Sequence, residues 1–179
     1  LREKYFGGDN TMININHEEF EISKELAILM TDIDKMDLAY ANTVTDEIFK
    51  KQPFMLSMML GYHLDTTPIE LEEILKIYFL IWEYFKKYKK QDTKNITKKQ
   101  YLKIETRHIK MLQYLEGETD EKGKKDIYAN DIQNMQSKAL LTAVIFRFNE
   151  RPVMLKMSLR MRGIIFIGIK SCIECFEKN

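Results

Sequence analysis

The chain has 179 residues, of which 45% are apolar and 31% charged, with three prolines, seven glycines and a formal net charge of +1. That length and composition suit one globular domain able to bury a core without disulfides or metals. The near-neutral total leaves no global field to select a nucleic acid or a membrane surface. Charge is uneven along the chain: residues 1–50 carry 5 basic and 11 acidic residues, and residues 51–115 carry 12 and 7. The acidic first third is therefore expected to pack against basic segments.

Residues 1–16 read as a flexible or extended N-terminal lead, with Gly7-Gly8 and Asp9-Asn10 marking a turn. This charged, glycine-containing start does not resemble a secretory leader. No apolar run approaches the roughly 18 residues of a membrane span. Two cysteines, Cys172 and Cys175, cannot form a disulfide framework, so the expected compartment is the cytoplasm.

Residues 17–179 read as a single helical domain. Phe20, Ile22, Leu26, Leu29, Met30 and Ile33 recur at helical steps, and Met36, Tyr40, Val44 and Ile48 form an i, i+4 stripe in a second helix over Lys35–Lys51. Pro53 interrupts it, and a short apolar helix follows from Phe54 to about His63. Thr67, Pro68 and Glu70 have the spacing of a capping box with proline in the first turn. The helix they open, over about 68–90, is apolar nearly all round and is predicted to lie at the centre. Thr97 caps the next helix, whose inner face is Tyr101, Ile104, Met111, Leu112 and Leu115. Gly117–Lys125 reads as a charged loop, and Tyr128, Ile132, Met135, Ala139 and Phe146 as the stripe of one further helix. Pro152 opens a long C-terminal helix over about 152–177. At about 100° per residue its polar side holds Lys156, Arg160, Gly163, Lys170, Glu174 and Glu177, and its apolar side Met154, Leu155, Met161, Ile165, Ile169, Cys172 and Phe176. A local strand over 163–169 is the alternative there. The predicted fold is all-α, an irregular bundle of five to seven helices.

Few residues point to chemistry. Glu105 and His108 are three apart on an inward helix face, the arrangement that carboxylate-bridged metal bundles use twice over. Neither His17 nor His63 has a Glu three residues before it, so the second half of such a site is missing and a buried polar pair is the plainer reading. Cys172-x-x-Cys175 lies at the C-terminal end of a helix, where the dipole opposes thiolate formation, so Cys172 reads as a small hydrophobe. Arg147 and Arg162 project to apolar sides; if they converged with Glu105 and His108 they would mark a ligand pocket, while snorkelling is the alternative. Lysines 86, 87, 89, 90, 94, 98, 99 and 103, with Tyr88 and Tyr101 among them, could follow a polyanion, although solvated helix ends and loops are the plainer reading of such a stretch. No phosphate-binding glycine loop, GxSxG or HExxH occurs.

These residues predict a non-enzymatic cytoplasmic module that binds another protein, or a second copy of itself, through a helix face. No cofactor and no membrane contact are expected. Polyanion or nucleic-acid binding through Lys86, Lys87, Lys89, Lys90, Lys94, Lys98, Lys99 and Lys103 is the first alternative. A metal- or ligand-dependent enzyme centred on Glu105 and His108 is the second.

Overall fold

The first two helices owe their boundary to a carboxylate. The computed structural model describes residues 17–88 and 94–179. The N-terminal lead, Lys89 and Lys90 lie outside the described residues. Helix α1 spans His17–Asp34 and α2 spans Leu38–Lys51. Asp37 caps α2 by accepting the Tyr40 amide at 2.8 Å, so α2 begins three residues later than its apolar stripe suggested. Pro53 then opens α3, Pro53–Gly61, and a 3₁₀ turn over Tyr62–Leu64 follows.

The capping box at Thr67 is present. Its backbone amide donates to the Glu70 carboxylate at 2.8 Å, and the Glu70 amide donates to Thr67 Oγ1 at 3.4 Å. It starts α4, Pro68–Tyr88, the longest described helix. Ile77 to Trp82 are buried without interruption, so neighbours must surround α4; it packs against α1, α3, α7 (Lys138–Glu150), α8 (Pro152–Lys156) and α9 (Leu159–Glu177). Burying each of Ile74, Ile77, Leu80, Ile81 and Phe85 contributes about 1.5–3 kcal/mol. Phe85 stacks on Phe176 of α9 with ring centroids 4.6 Å apart.

Helix α5, Lys98–Gly117, is capped by Thr97 and lies along α9. Gln52, fully buried between α2 and α3, fixes the approach to α5: its carboxamide accepts the Ile96 amide at 2.8 Å and donates to the Lys94 carbonyl at 3.3 Å.

The chain is all-α, with nine α-helices and one 3₁₀ turn among the described residues and no strand, so 163–169 is helical. The count exceeds the predicted five to seven because two long patterns are each broken. Helix α6, Glu121–Gln133, starts inside the predicted loop, where Asp120 accepts the amides of Lys122 and Gly123 at 3.0 Å. The stripe from Tyr128 to Phe146 is then split between α6 and α7, because the Ser137 amide is taken by the Glu177 carboxylate at 2.7 Å. The predicted helix over 152–177 is likewise two helices. Ser158, accepting the Met161 amide at 3.2 Å, restarts it as α9. One apolar cluster runs from Leu26 to Phe176 and includes side chains of α1 to α5 and of α7 to α9.

Candidate functional site

Glu105 and His108 part company in the fold. His108 turns towards α9 and is 1% exposed. Its Nε2 lies 2.5 Å from Glu174 Oε1, and Lys170 Nζ lies 3.3 Å from the same ring nitrogen. Lys170 also donates to Glu174 at 3.1 Å and to Asp131 of α6 at 3.0 Å. Arg107 reaches the second oxygen of Glu174, and Lys178 donates to that oxygen at 3.3 Å. Burial alone would raise the Glu174 pKa; the His108 hydrogen bond, the Lys170 charge and Arg107 together outweigh it and hold this carboxyl well below the usual range. The predicted polar arc of the last helix is thus wet only at its start: Lys156 and Arg160 are exposed, whereas Lys170 and Glu174 are buried beneath α5 and α6.

His108, Asp131 and Glu174 each place one donor atom within 4.8 Å of the others, as metal ligands would. The Lys170 ammonium already stands among them. With Arg107 and Lys178 it gives three cations against two carboxylates, so a divalent ion would enter a group that is already net positive. A metal role for His108 through Glu105 has no geometric basis, because Glu105 faces elsewhere.

Glu105 lines a cleft of about 610 Å³ between the end of α3, the 3₁₀ turn, α5 and the start of α9. Tyr101 donates to its Oε1 at 3.0 Å. Tyr62 lies beside them, its hydroxyl 3.2 Å from that of Tyr78. Burial keeps these phenols neutral, pushing Tyr62 up to about 12 and Tyr101 higher still. Gly168 makes room for both: a Cβ there would overlap the Tyr62 hydroxyl and lie 3.1 Å from that of Tyr101. Met58, Met161 and Ile164 form apolar walls, and Asp65 and Arg160 complete the charged lining.

The two arginines are separate again. Arg147, 3% exposed, donates to Asp34 at 2.7 Å and to Glu73 at 2.9 Å. Arg151 also pairs with Asp34. Arg147 lines a different cleft, of about 370 Å³, with Met30 and Phe146. Arg162 is buried and donates to the Phe148 carbonyl at 3.3 Å. Glu105, His108, Arg147 and Arg162 therefore do not form one pocket, and neither buried arginine snorkels to solvent.

The predicted basic stretch is also divided. Lys86 pairs with Glu47 and Glu83, and Lys87 with Glu25. The Lys94 carbonyl accepts from Gln52 and Asn179. Lys98, Lys99 and Lys103 are exposed on α5, where Lys99 and Lys103 share a shallow groove with Arg107 and Lys110. Cys172 and Cys175 are free and buried, and burial pushes the Cys175 thiol up to about 12. No described helix is long and apolar enough to cross a membrane.

Compared with family models, curated proteins and solved structures, the chain matches none.

Asp34, Glu73, Asp131, Lys170 and Glu174 were not legible as site residues, because on their own helices they look like ordinary surface charges. Tyr62 and Gly168 carried no pattern either. Their meeting depends on the docking of α9 against the 3₁₀ turn.

Proposed function

We propose that this chain is a non-enzymatic helical interaction module of the cytoplasm that docks a partner protein in the cleft between α3, α5 and α9. The observation carrying this reading is a cleft with an exposed aliphatic wall residue, Ile164, and with exposed leucines next to its lining residues in the chain. Leu60, Leu64, Leu159 and Ile164 are 43%, 77%, 52% and 47% exposed, and each lines the cleft or is a sequence neighbour of a lining residue. Apolar side chains gathered around a concavity mark binding surfaces, whereas scattered ones need no explanation. The non-enzymatic part is supported by chemistry. The cleft phenols are held neutral, His108 is sealed in an ion network, and both thiols are buried. Reduced, buried cysteines also suit a cytoplasmic setting.

A partner isolated with the wild-type chain and then purified tests the reading. Leu64→Asp with Ile164→Asp is expected to weaken its binding at least about tenfold, as loss of a binding hot spot does. Phe49→Asp, on the exposed face of α2, serves as the control. Equal binding by the cleft variant rejects the docking site.

The row Lys99, Lys103, Arg107 and Lys110 favours a second reading, polyanion binding on α5. It predicts that affinity for a single-stranded oligonucleotide falls steeply between about 50 and 200 mM salt and is lost in Lys99→Gln with Lys103→Gln. A flat salt dependence sinks it.

A further inference from the structure

Carboxylates that reach the interior of this protein come with cations or backbone amides. Asp34 and Glu73 have Arg147 and Arg151, and Asp131 and Glu174 have Lys170. Among the described residues, half-buried Glu70, Glu118 and Glu177 have no cation but each accepts a backbone amide; Glu105 has neither. It is half-buried, it accepts one hydrogen bond through Oε1 from Tyr101, and among the described residues it is in no ion pair. The cleft it lines also contains Asp65, against a single cation, Arg160, on the exposed first turn of α9. The lining therefore carries one more negative than positive charge, on a floor of neutral phenol oxygens. A half-buried carboxylate with neither partner is costly, and a cation arriving from outside would relieve that cost.

We propose that the cleft is the seat for a lysine side chain of the partner protein, with its ammonium on Glu105. This rests on the docking reading above and adds the chemistry of the anchor. The ammonium brings three donors to a site offering a carboxylate and the Tyr62 and Tyr101 oxygens. Its unbranched stem suits the walls made by Met58 and Met161, since thioether side chains adapt to a narrow aliphatic chain. Apolar residues beside that lysine would meet Ile164 on the cleft wall.

The probes are two acetylated tripeptide amides, leucyl-lysyl-leucine and leucyl-norleucyl-leucine, which differ by the ammonium. Each is titrated into the full chain while the amide ¹H–¹⁵N shifts of Gly61 and Gly168 are followed. The lysyl peptide is expected to shift both amides saturably and to bind about fivefold more tightly than the norleucyl peptide, as one partly exposed ion pair allows. Glu105→Gln keeps an acceptor for Tyr101 and should bring the two peptides to the same affinity. Equal affinities in the wild type overturn the lysine anchor while leaving cleft docking intact. Shifts from neither peptide overturn the lysine seat, and docking itself is then decided by the Leu64→Asp, Ile164→Asp comparison. A preference for the lysyl peptide that persists in Glu105→Gln also overturns the assignment to Glu105.

Discussion

Two residues on α9 show how much a single side chain can depend on its neighbours. Gly168 permits the Tyr62 and Tyr101 hydroxyls to approach the helix backbone. Gly168→Ala is expected to displace Tyr62, break its contact with Tyr78 and destabilise the fold by about 1–3 kcal/mol. Adding Tyr62→Phe removes the clashing oxygen and should restore part of the loss in thermal unfolding; no recovery would place the clash elsewhere. Glu174 gives a pH-dependent case. Its folded pKa is lowered from an ordinary 4.5, so its stabilising contribution is fully present above that value and is lost as pH falls towards the lowered one. Glu174→Gln should therefore cost most at neutral pH, about 3 kcal/mol, with the gap to wild type closing as the pH drops below about 4. Urea unfolding across that range measures it; a gap independent of pH would assign the loss to packing. Neither role was legible in sequence. Lys170 and Glu174 are four apart, the spacing of an exposed helix pair, and they share an angular sector with Arg160 and Glu177. His108 was legible as buried from the stripe of α5, but Glu105 on the same stripe was not separable from it.

At the scale of elements, apolar periodicity and caps located most helices, because these act within a few residues. Thr67, Thr97 and Pro53 sit at the starts the sequence indicates. The two long patterns that broke, at 134–137 and at Met157-Ser158, run on across the break in sequence, although Phe146 and Leu155 of those stripes are exposed. The first break is tertiary, Glu177 taking the Ser137 amide, and the second is a local cap, Ser158 accepting the Met161 amide. Helix α6 is the least anchored consequence. It has no buried residue, and Asp131 is its hold on Lys170. Segments with few buried contacts open most readily, so α6 amides are expected to exchange hydrogen well before those of α4. Asp131→Ala should speed exchange across Glu121–Gln133 by about tenfold and leave α4 unchanged. Unchanged α6 exchange would mean that Ile127 and Ile132 hold the helix without the ion pair.

Across the whole molecule, the uneven charge becomes a pattern of contacts between distant segments. The acidic first third meets basic groups from later in the chain: Glu25 with Lys87, Glu47 with Lys86, and Asp34 with Arg147 and Arg151. The first two pairs are exposed, and pairs of that kind add little. Arg147 is different, because it is buried and ties the end of α1 through Asp34 to α4 through Glu73, from its place on α7. Asp34 ends α1, where the helix dipole disfavours a negative charge, so this carboxylate depends on the arginines facing it. Arg147→Met keeps the apolar stem but leaves Glu73 buried with only a distant Arg151 and the edge of Lys76, 3.8 and 3.6 Å away. The expected loss is about 3–5 kcal/mol, since removing one partner exposes the full desolvation cost of the other. Combining Arg147→Met with Glu73→Met removes that uncompensated charge and should recover most of the loss in urea unfolding. A single variant losing under about 1 kcal/mol would show that Arg151 alone suffices for both carboxylates. A double variant no more stable than the single would mean that α1, α4 and α7 are joined here by directional hydrogen bonds, and not by the cancellation of charge.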